Sequence, residues 1–240
     1  MAGLVEQSTV SSASSRAHTG PRTSRAPAFF IAPFDHLFAP VVAAWPKTSL
    51  ELSWLAPGTT APLTPAKVCA WDREDGRRFL LLGAADDGPC GYAERNRMPD
   101  ERRRYWIGHF VIDPARRGEG LSHVFFHNLV VHAFEEMGAA EVLLVVIPEN
   151  AAAVRCYERG GMVVCGRESK RFNATGIRHS FLRMSLTRKR YERLDMYRNE
   201  NELRAPFVRS AVGLLNRRSR DVSKSRQVIA AERGTERLVD

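Results

Sequence analysis

Apolar residues fall along this chain in two rhythms, and from residue 78 onward the two alternate. Phe79-Leu80-Leu81-Leu82 is an unbroken apolar block inside residues 78–84, which predicts a buried strand. Asp86-Asp87-Gly88 marks a turn, and residues 90–98 read as the return strand of a hairpin. Residues 98–103 are polar, and residues 104–112 predict another strand, ended by Asp113-Pro114. The rhythm then turns helical over 121–137 and stops at Gly138. A strand over 141–147, a helix over 150–159 and a hairpin of 162–172 with 179–186 close the series.

The stretch before residue 78 is less regular. Phe29-Phe30-Ile31 predicts a short strand, and residues 35–45 carry apolar positions at helical spacing as far as Pro46. Residues 50–65 mix Trp54 with three prolines and several threonines, which predicts a loop over a ligand cleft. Residues 66–71 fit a short helix or a short strand. The sum is an α/β (α+β) domain over residues 28–187, a hairpin-bearing mixed sheet with helices crossing between strands.

Both ends differ from this middle. Residues 1–27 are rich in Ser and Arg and hold a single acid. They predict a disordered arm, since such a composition buries no core; organellar transit peptides share it loosely. Residues 188–240 alternate Arg with Tyr191, Leu194, Met196, Tyr197, Phe207 and Leu214-Leu215. They predict a basic extension, part helical and packed back on the domain or a partner, with its last twenty residues disordered.

Charge sharpens that division. The net charge is +9, and the arm (three Arg, one Glu) and the extension (fourteen Lys/Arg, eight acids) carry all but one unit of it. The basic balance therefore says little about what the middle binds. Arg217-Arg218-Ser219-Arg220 suggests a nucleic-acid or ribosome contact, but the acids beside it favour a solvated tail, and no nucleic-acid partner is expected. The four cysteines, Cys69, Cys90, Cys156 and Cys165, form no Cys-x-x-Cys pair and read as reduced thiols in a cytoplasmic protein. No apolar run is long enough to cross a membrane, and the chain is expected as a monomer or homodimer. His123 and His127 stand four apart without a third ligand, so they read as packing and no metal is expected. Trp45, Trp54 and Trp71 fit either an acceptor cleft or the core.

Two stretches carry chemistry. The first is Arg116-Arg117-Gly118-Glu119-Gly120-Leu121-Ser122, a basic glycine turn between a strand and a helix. The first N–H groups of a helix lack intrahelical partners, and glycine lets an anion approach the backbone, so such a turn suits a pyrophosphate. It is neither a P-loop nor a dinucleotide fingerprint, since it lacks Gly-Lys-Ser/Thr and a third glycine. The second stretch sets Asn150, Ala153, Tyr157 and Gly161 in one run, followed by Met162.

In this order and separation the two stretches resemble the GNAT family, the Gcn5-related N-acetyltransferases. Ser122 stands where that family has glycine or alanine, and Met162 where it has phenylalanine. The resemblance implies a mostly antiparallel mixed sheet flanked by helices, and direct acetyl transfer from acetyl-CoA to an amine. It implies that Arg117, Gly118, Gly120 and Ser122 take the pyrophosphate. Phe110, Val111 and Ile112 would pair with the pantetheine arm, and Asn150 would touch it from the opposite side. Tyr157 would be the general acid, its phenol pKa of about 10 close to that of the departing thiol. The glutamate base of relatives that acetylate protein N-termini falls on Val145 here. Glu94, His109 or a water chain are left for that role, with strand alternation counting against His109. Small amines, amino acids, peptide N-termini, lysines and antibiotics all remain as acceptors. A second reading keeps the fold as an acyl-CoA-binding sensor without turnover.

Overall fold

The computed structural model describes residues 29–83, 88–99, 103–194, 205–209 and 211. Among the described residues seven strands form one sheet: β1 (Phe29–Pro33), β2 (Gly76–Gly83), β3 (Pro89–Arg97), β4 (Arg104–Ile112), β5 (Glu141–Val146), β6 (Val163–Arg171) and β7 (Arg178–Thr187). Their spatial order is β1-β2-β3-β4-β5-β7-β6. Every pairing is antiparallel except β4 with β5. The predicted mixed, mostly antiparallel sheet is the one observed.

The helices follow the residues that cap them. α1 is Ala39–Ala43, α2 Ser49–Leu55, α3 Pro65–Cys69, α4 Leu121–Val131, α5 Ala151–Arg159 and α6 Arg188–Tyr191. The expected loop over 50–65 is in part a helix, because Thr48 caps α2 by accepting from Glu51 N at 3.1 Å. Glu51 Oε2 in turn accepts from Lys47 N at 2.6 Å, a reciprocal arrangement that satisfies two backbone donors. Thr64 caps α3 in the same way, with Pro65 in its first turn, so the 66–71 stretch is helical as far as Cys69. The predicted helix over 121–137 ends its α-helical part at Val131 and continues as a π turn over His132–Glu136.

Two apolar layers sandwich the sheet. On one face, α4 buries Phe125, Phe126 and Leu129 against Phe79, Leu81, Ile107 and Leu144. On the other, α1 to α3 bury Val42, Trp45, Leu52 and Val68 against Leu80, Leu82 and Tyr92. Each large side chain so buried contributes about 2–3 kcal/mol.

The described residues 205–208 pack on the first layer. Phe207 bridges Ile31 in parallel, with Ile31 N donating to Pro206 O at 3.0 Å and Val208 N donating to Ile31 O at 2.7 Å. That covers the open edge of β1, where unpaired backbone groups would otherwise face water. Ala205 N donates to Asn128 Oδ1 at 2.9 Å. The N-terminal arm and the final twenty residues lie outside the described residues.

Candidate active site

β4 and β5 pair only at Arg104↔Glu141, Tyr105↔Val142 and Trp106↔Leu143. Beyond that the two strands part, and a cleft of about 740 Å³ opens between them. Residues 107–112 keep their bonds to β3 and turn their other backbone edge toward the gap. Phe110, Val111 and Ile112 line it on this side; Val145, Val146 and Ile147 line it on the other.

One end of the cleft is built from main chain. Asp113 Oδ1 accepts from Ala115 N at 2.9 Å and starts a tight turn over Pro114–Arg116. Gly118 (φ 91°) and Gly120 (φ 78°) hold left-handed backbone, and a Cβ on either would meet nothing within 4 Å. Gly120 caps α4 with no side chain over the helix N-terminus. The positive end of α4 therefore faces the opening. Arg117 Nη1 donates to Glu51 Oε1 at 2.5 Å, which holds that carboxyl below its usual pKa. Arg117, Gly118, Gly120 and Ser122 all line the cleft.

The middle carries the second motif. Asn150 lines the cleft and caps α5, its Oδ1 accepting from Ala153 N at 3.2 Å. Tyr157 is buried, its ring 5.2 Å from Phe126 and edge-on to Phe110 at 6.1 Å. Burial pushes the phenol pKa up, so the hydroxyl keeps its proton near neutrality. Cys156 is half-buried and lines the cleft; burial raises its thiol pKa against a counter-effect from the Ser122 hydroxyl.

The other end is built from side chains of three elements. Glu94 on β3 is 1% exposed. Tyr92 Oη donates to its Oε1 at 2.8 Å, and Asn96 Nδ2 donates to its Oε2 at 3.4 Å. His109 Nδ1 stands 2.8 Å from Oε1, short but oblique to the ring N–H direction. Burial alone would push the Glu94 carboxyl up; His109, Tyr92 and Asn96 outweigh it, and the net shift is downward. Trp71, at the end of α3, stacks on the His109 ring at 4.2 Å between centroids and 20° between planes.

The alternation argument against His109 fails for a definite reason. The β3–β4 register slips between Tyr92 and Glu94, so that two residues of β4 oppose one of β3. His109 sits in that bulge at φ 44°. A bulge re-aims a side chain, and here it carries the imidazole to the face that holds Glu94. Tyr92 and Asn96 are not among the residues the sequence singles out, whereas Trp71 is, as a cleft or core aromatic. The first two sit two residues either side of Glu94, so strand alternation was a signal that could have found them.

The aromatic expectations divide. Trp54 lines the cleft, whereas Trp45 is buried in the second apolar layer. Opposite, Thr175 donates from its hydroxyl to Pro57 O at 3.2 Å, and Phe172 lies against Gly58, so the loop after α2 meets the β6–β7 hairpin. The rings of His123 and His127 lie 6.4 Å apart. Among the described residues no group of three His, Cys, Asp or Glu could hold a metal, and no helix is long and apolar enough to cross a membrane.

Residues 44–162 match the model of the acetyltransferase (GNAT) family. The streptothricin acetyltransferase of Streptomyces lavendulae is 31% identical over 101 residues, covering 42% of this chain and 52% of that protein. The spermine/spermidine N(1)-acetyltransferase of Bacillus subtilis is 27% identical over 101 residues, or 40% of this chain and 66% of that protein. The chain thus spans between half and two thirds of the length of these relatives. Among solved structures, the spermidine N-acetyltransferase of Vibrio cholerae, in complex with CoA and spermine, superposes with a TM-score of 0.58 at 17% identity, over 68% of this chain and 98% of that one. The aminoglycoside acetyltransferase AAC(6')-Ib in complex with coenzyme A gives 0.55 at 18% identity, over 69% and 98%. At such identities the superpositions speak for the fold.

Proposed function

The chain belongs to the GNAT acetyltransferase family, and from that premise we propose that it moves an acetyl group from acetyl-CoA directly to an amine. The observation that carries this is one continuous cleft joining the glycine turn to the Glu94–His109 pair. The residues present fit acetyl-CoA. The turn offers open space over two glycines, the uncapped start of α4 and the Arg117 guanidinium, a set suited to a diphosphate. The parted strands offer an unpaired backbone edge at residues 110–112, the kind an extended amide-bearing arm can pair with. Asn150 would face that arm from the start of α5.

The thioester supplies an acetyl carbon ready for attack; the protein orients it and manages protons. A backbone N–H of residues 110–112 would polarise the carbonyl oxygen as charge builds on it. Tyr157, kept protonated by burial, would give the leaving sulfur its proton. The domain of 28–187 carries all of these groups. Relatives act on streptothricin and on spermine or spermidine, which supports a primary amine on a larger acceptor.

The test is thermal unfolding with and without acetyl-CoA, followed by thiol release with spermine and with ribostamycin as acceptors. At a hundredfold excess over Kd, binding adds about 2.7 kcal/mol, a midpoint rise of roughly 5–10 °C. A rise together with thiol release supports transfer. No rise sinks the reading; a rise without thiol release from either acceptor favours the non-catalytic one.

A further inference from the structure

We propose that His109 is the base that takes the proton from the acceptor ammonium, and that Glu94 is the positioning residue that orients it and stabilises its charged form. This rests on the acetyltransferase reading of the cleft. Three observations carry it. Glu94 is a carboxylate at 1% exposure, held by a phenol, an amide and an imidazole. A buried ion pair is weak support for a fold, since apolar residues of the same size pack as well. His109 sits at φ 44°, a conformation that L residues seldom adopt outside sites that need it. Its ring is clamped from one side by Trp71 and borders the cleft.

The geometry also chooses the atom. Nδ1 lies 2.8 Å from the Glu94 carboxylate; a proton on Nδ1 would meet that charge, which leaves the Nε2 lone pair as the base. The oblique approach of Nδ1 suits a pair that tightens when substrate arrives. The other charged groups around the cleft are already engaged or lie at its rim. Glu168 is paired with Arg183, Glu51 with Arg117, and Lys170 lies over Phe172. Arg73 and Arg97 are exposed.

The step balances as follows. An N–H bond of the acceptor ammonium breaks and a proton joins Nε2, giving an imidazolium against the Glu94 carboxylate. The freed lone pair forms the N–C bond to the acetyl carbon, and the C–S bond then breaks. Tyr157 Oη gives its proton to the sulfur and takes up the second N–H proton of the adduct. His109 returns its proton to water at the cleft mouth. The products are the amide, the free thiol and one proton released.

The experiment uses the full chain with spermine and ribostamycin. His109→Gly is the primary variant, since glycine accepts φ 44° without strain and leaves space under Trp71. The expected result is a fall in kcat/KM of about 100-fold or more, an unchanged Kd for acetyl-CoA, and recovery of at least about tenfold with added imidazole. Glu94→Gln keeps an acceptor for Nδ1 and removes the charge. Its expected effects are an acid limb of kcat/KM moved to lower pH and an imidazole NMR titration midpoint for His109 that moves with it. Activity of His109→Gly within threefold of wild type, or no rescue by imidazole, would overturn the base. An unmoved midpoint in Glu94→Gln would overturn the pairing. The titration is independent of turnover, and loss of the acetyl-CoA thermal shift in the wild type would instead refute the transferase reading itself.

Discussion

Two neighbours on β3, Glu94 and Arg95, point to opposite faces of the sheet, and each takes a histidine. Glu94 meets His109 at 2.8 Å beside the cleft. Arg95 Nη1 donates to His132 Nδ1 at 2.6 Å behind it, against Phe79, Tyr105 and Phe207. A carboxylate stabilises an imidazolium. A guanidinium has only donors and repels a second cation. Burial and Arg95 together pull the His132 pKa down to about 4. The same residue type thus meets a carboxylate on one face and is kept neutral beside a guanidinium on the other. At His132 burial is the larger cause of that drop, and the charge of the partner adds to it.

That contrast is best broken by removing the two β3 charges in turn. Glu94→Gln should cost acetylation heavily, whereas Arg95→Met should leave kcat/KM within about twofold. A buried guanidinium without a carboxylate is replaceable by an apolar chain of similar length at little cost to stability, or at a gain. Paired measurements of kcat/KM and urea midpoints check this. Equal losses of activity in both variants would mean that β3 is merely structural on both faces.

The glycine turn gives the next largest effect. Gly120→Glu puts a side chain and a negative charge at the start of α4. It should abolish the rise of roughly 5–10 °C that acetyl-CoA gives the wild type. Each protein is compared with and without ligand, so a lower starting midpoint in the variant does not confuse the result. A rise of full size in the variant would move the diphosphate elsewhere.

Acid stability sharpens the comparison from the other face. His132 titrates near pH 4 when folded and near its ordinary 6.5 when unfolded. Between those values the unfolded chain binds more protons, so stability rises with pH across the window and is lost as pH falls through it. Carboxylates held down by partners, Glu94 and Glu51 among them, act below about 4.5. Arg95→Met removes the smaller of the two causes, so it should reduce the loss between pH 6.5 and 4.5 in part and leave the steeper loss below it. Urea unfolding at four or five pH values reads this directly.

What was legible in the sequence follows the same division. The glycine turn and the Asn150–Tyr157 run are contiguous, because main-chain N–H groups and one helix supply everything those parts need. The strands of the sheet announced themselves by apolar blocks such as residues 79–82. The acid–histidine end is assembled from β3, a bulge in β4 and the end of α3, and the bulge inverts the face on which His109 is counted. Nothing in the residues 104–112 marks that slip. The α2 helix was different: Thr48-Ser49-Leu50-Glu51 is a capping signature, overlooked because the prolines around it suggested a loop.

The smallest effect concerns the same Glu51, which occupies Arg117 at the diphosphate end. The pair is partly exposed, with side chains 46% and 23% accessible, so its loss should change stability by less than about 1 kcal/mol. Its effect on binding is of another kind. While Glu51 holds Arg117, an incoming diphosphate competes with a carboxylate that already satisfies one guanidinium N–H. Glu51→Gln keeps the α2 cap geometry but weakens that competition, so acetyl-CoA should bind a few-fold more tightly. The gain should be largest at low salt, where an unscreened carboxylate competes best. Calorimetric titration at two ionic strengths measures it. Weaker binding in Glu51→Gln would mean that the carboxylate aims Arg117 at its ligand instead of withholding it, and the turn would then be preorganised by α2 from the acceptor side of the cleft.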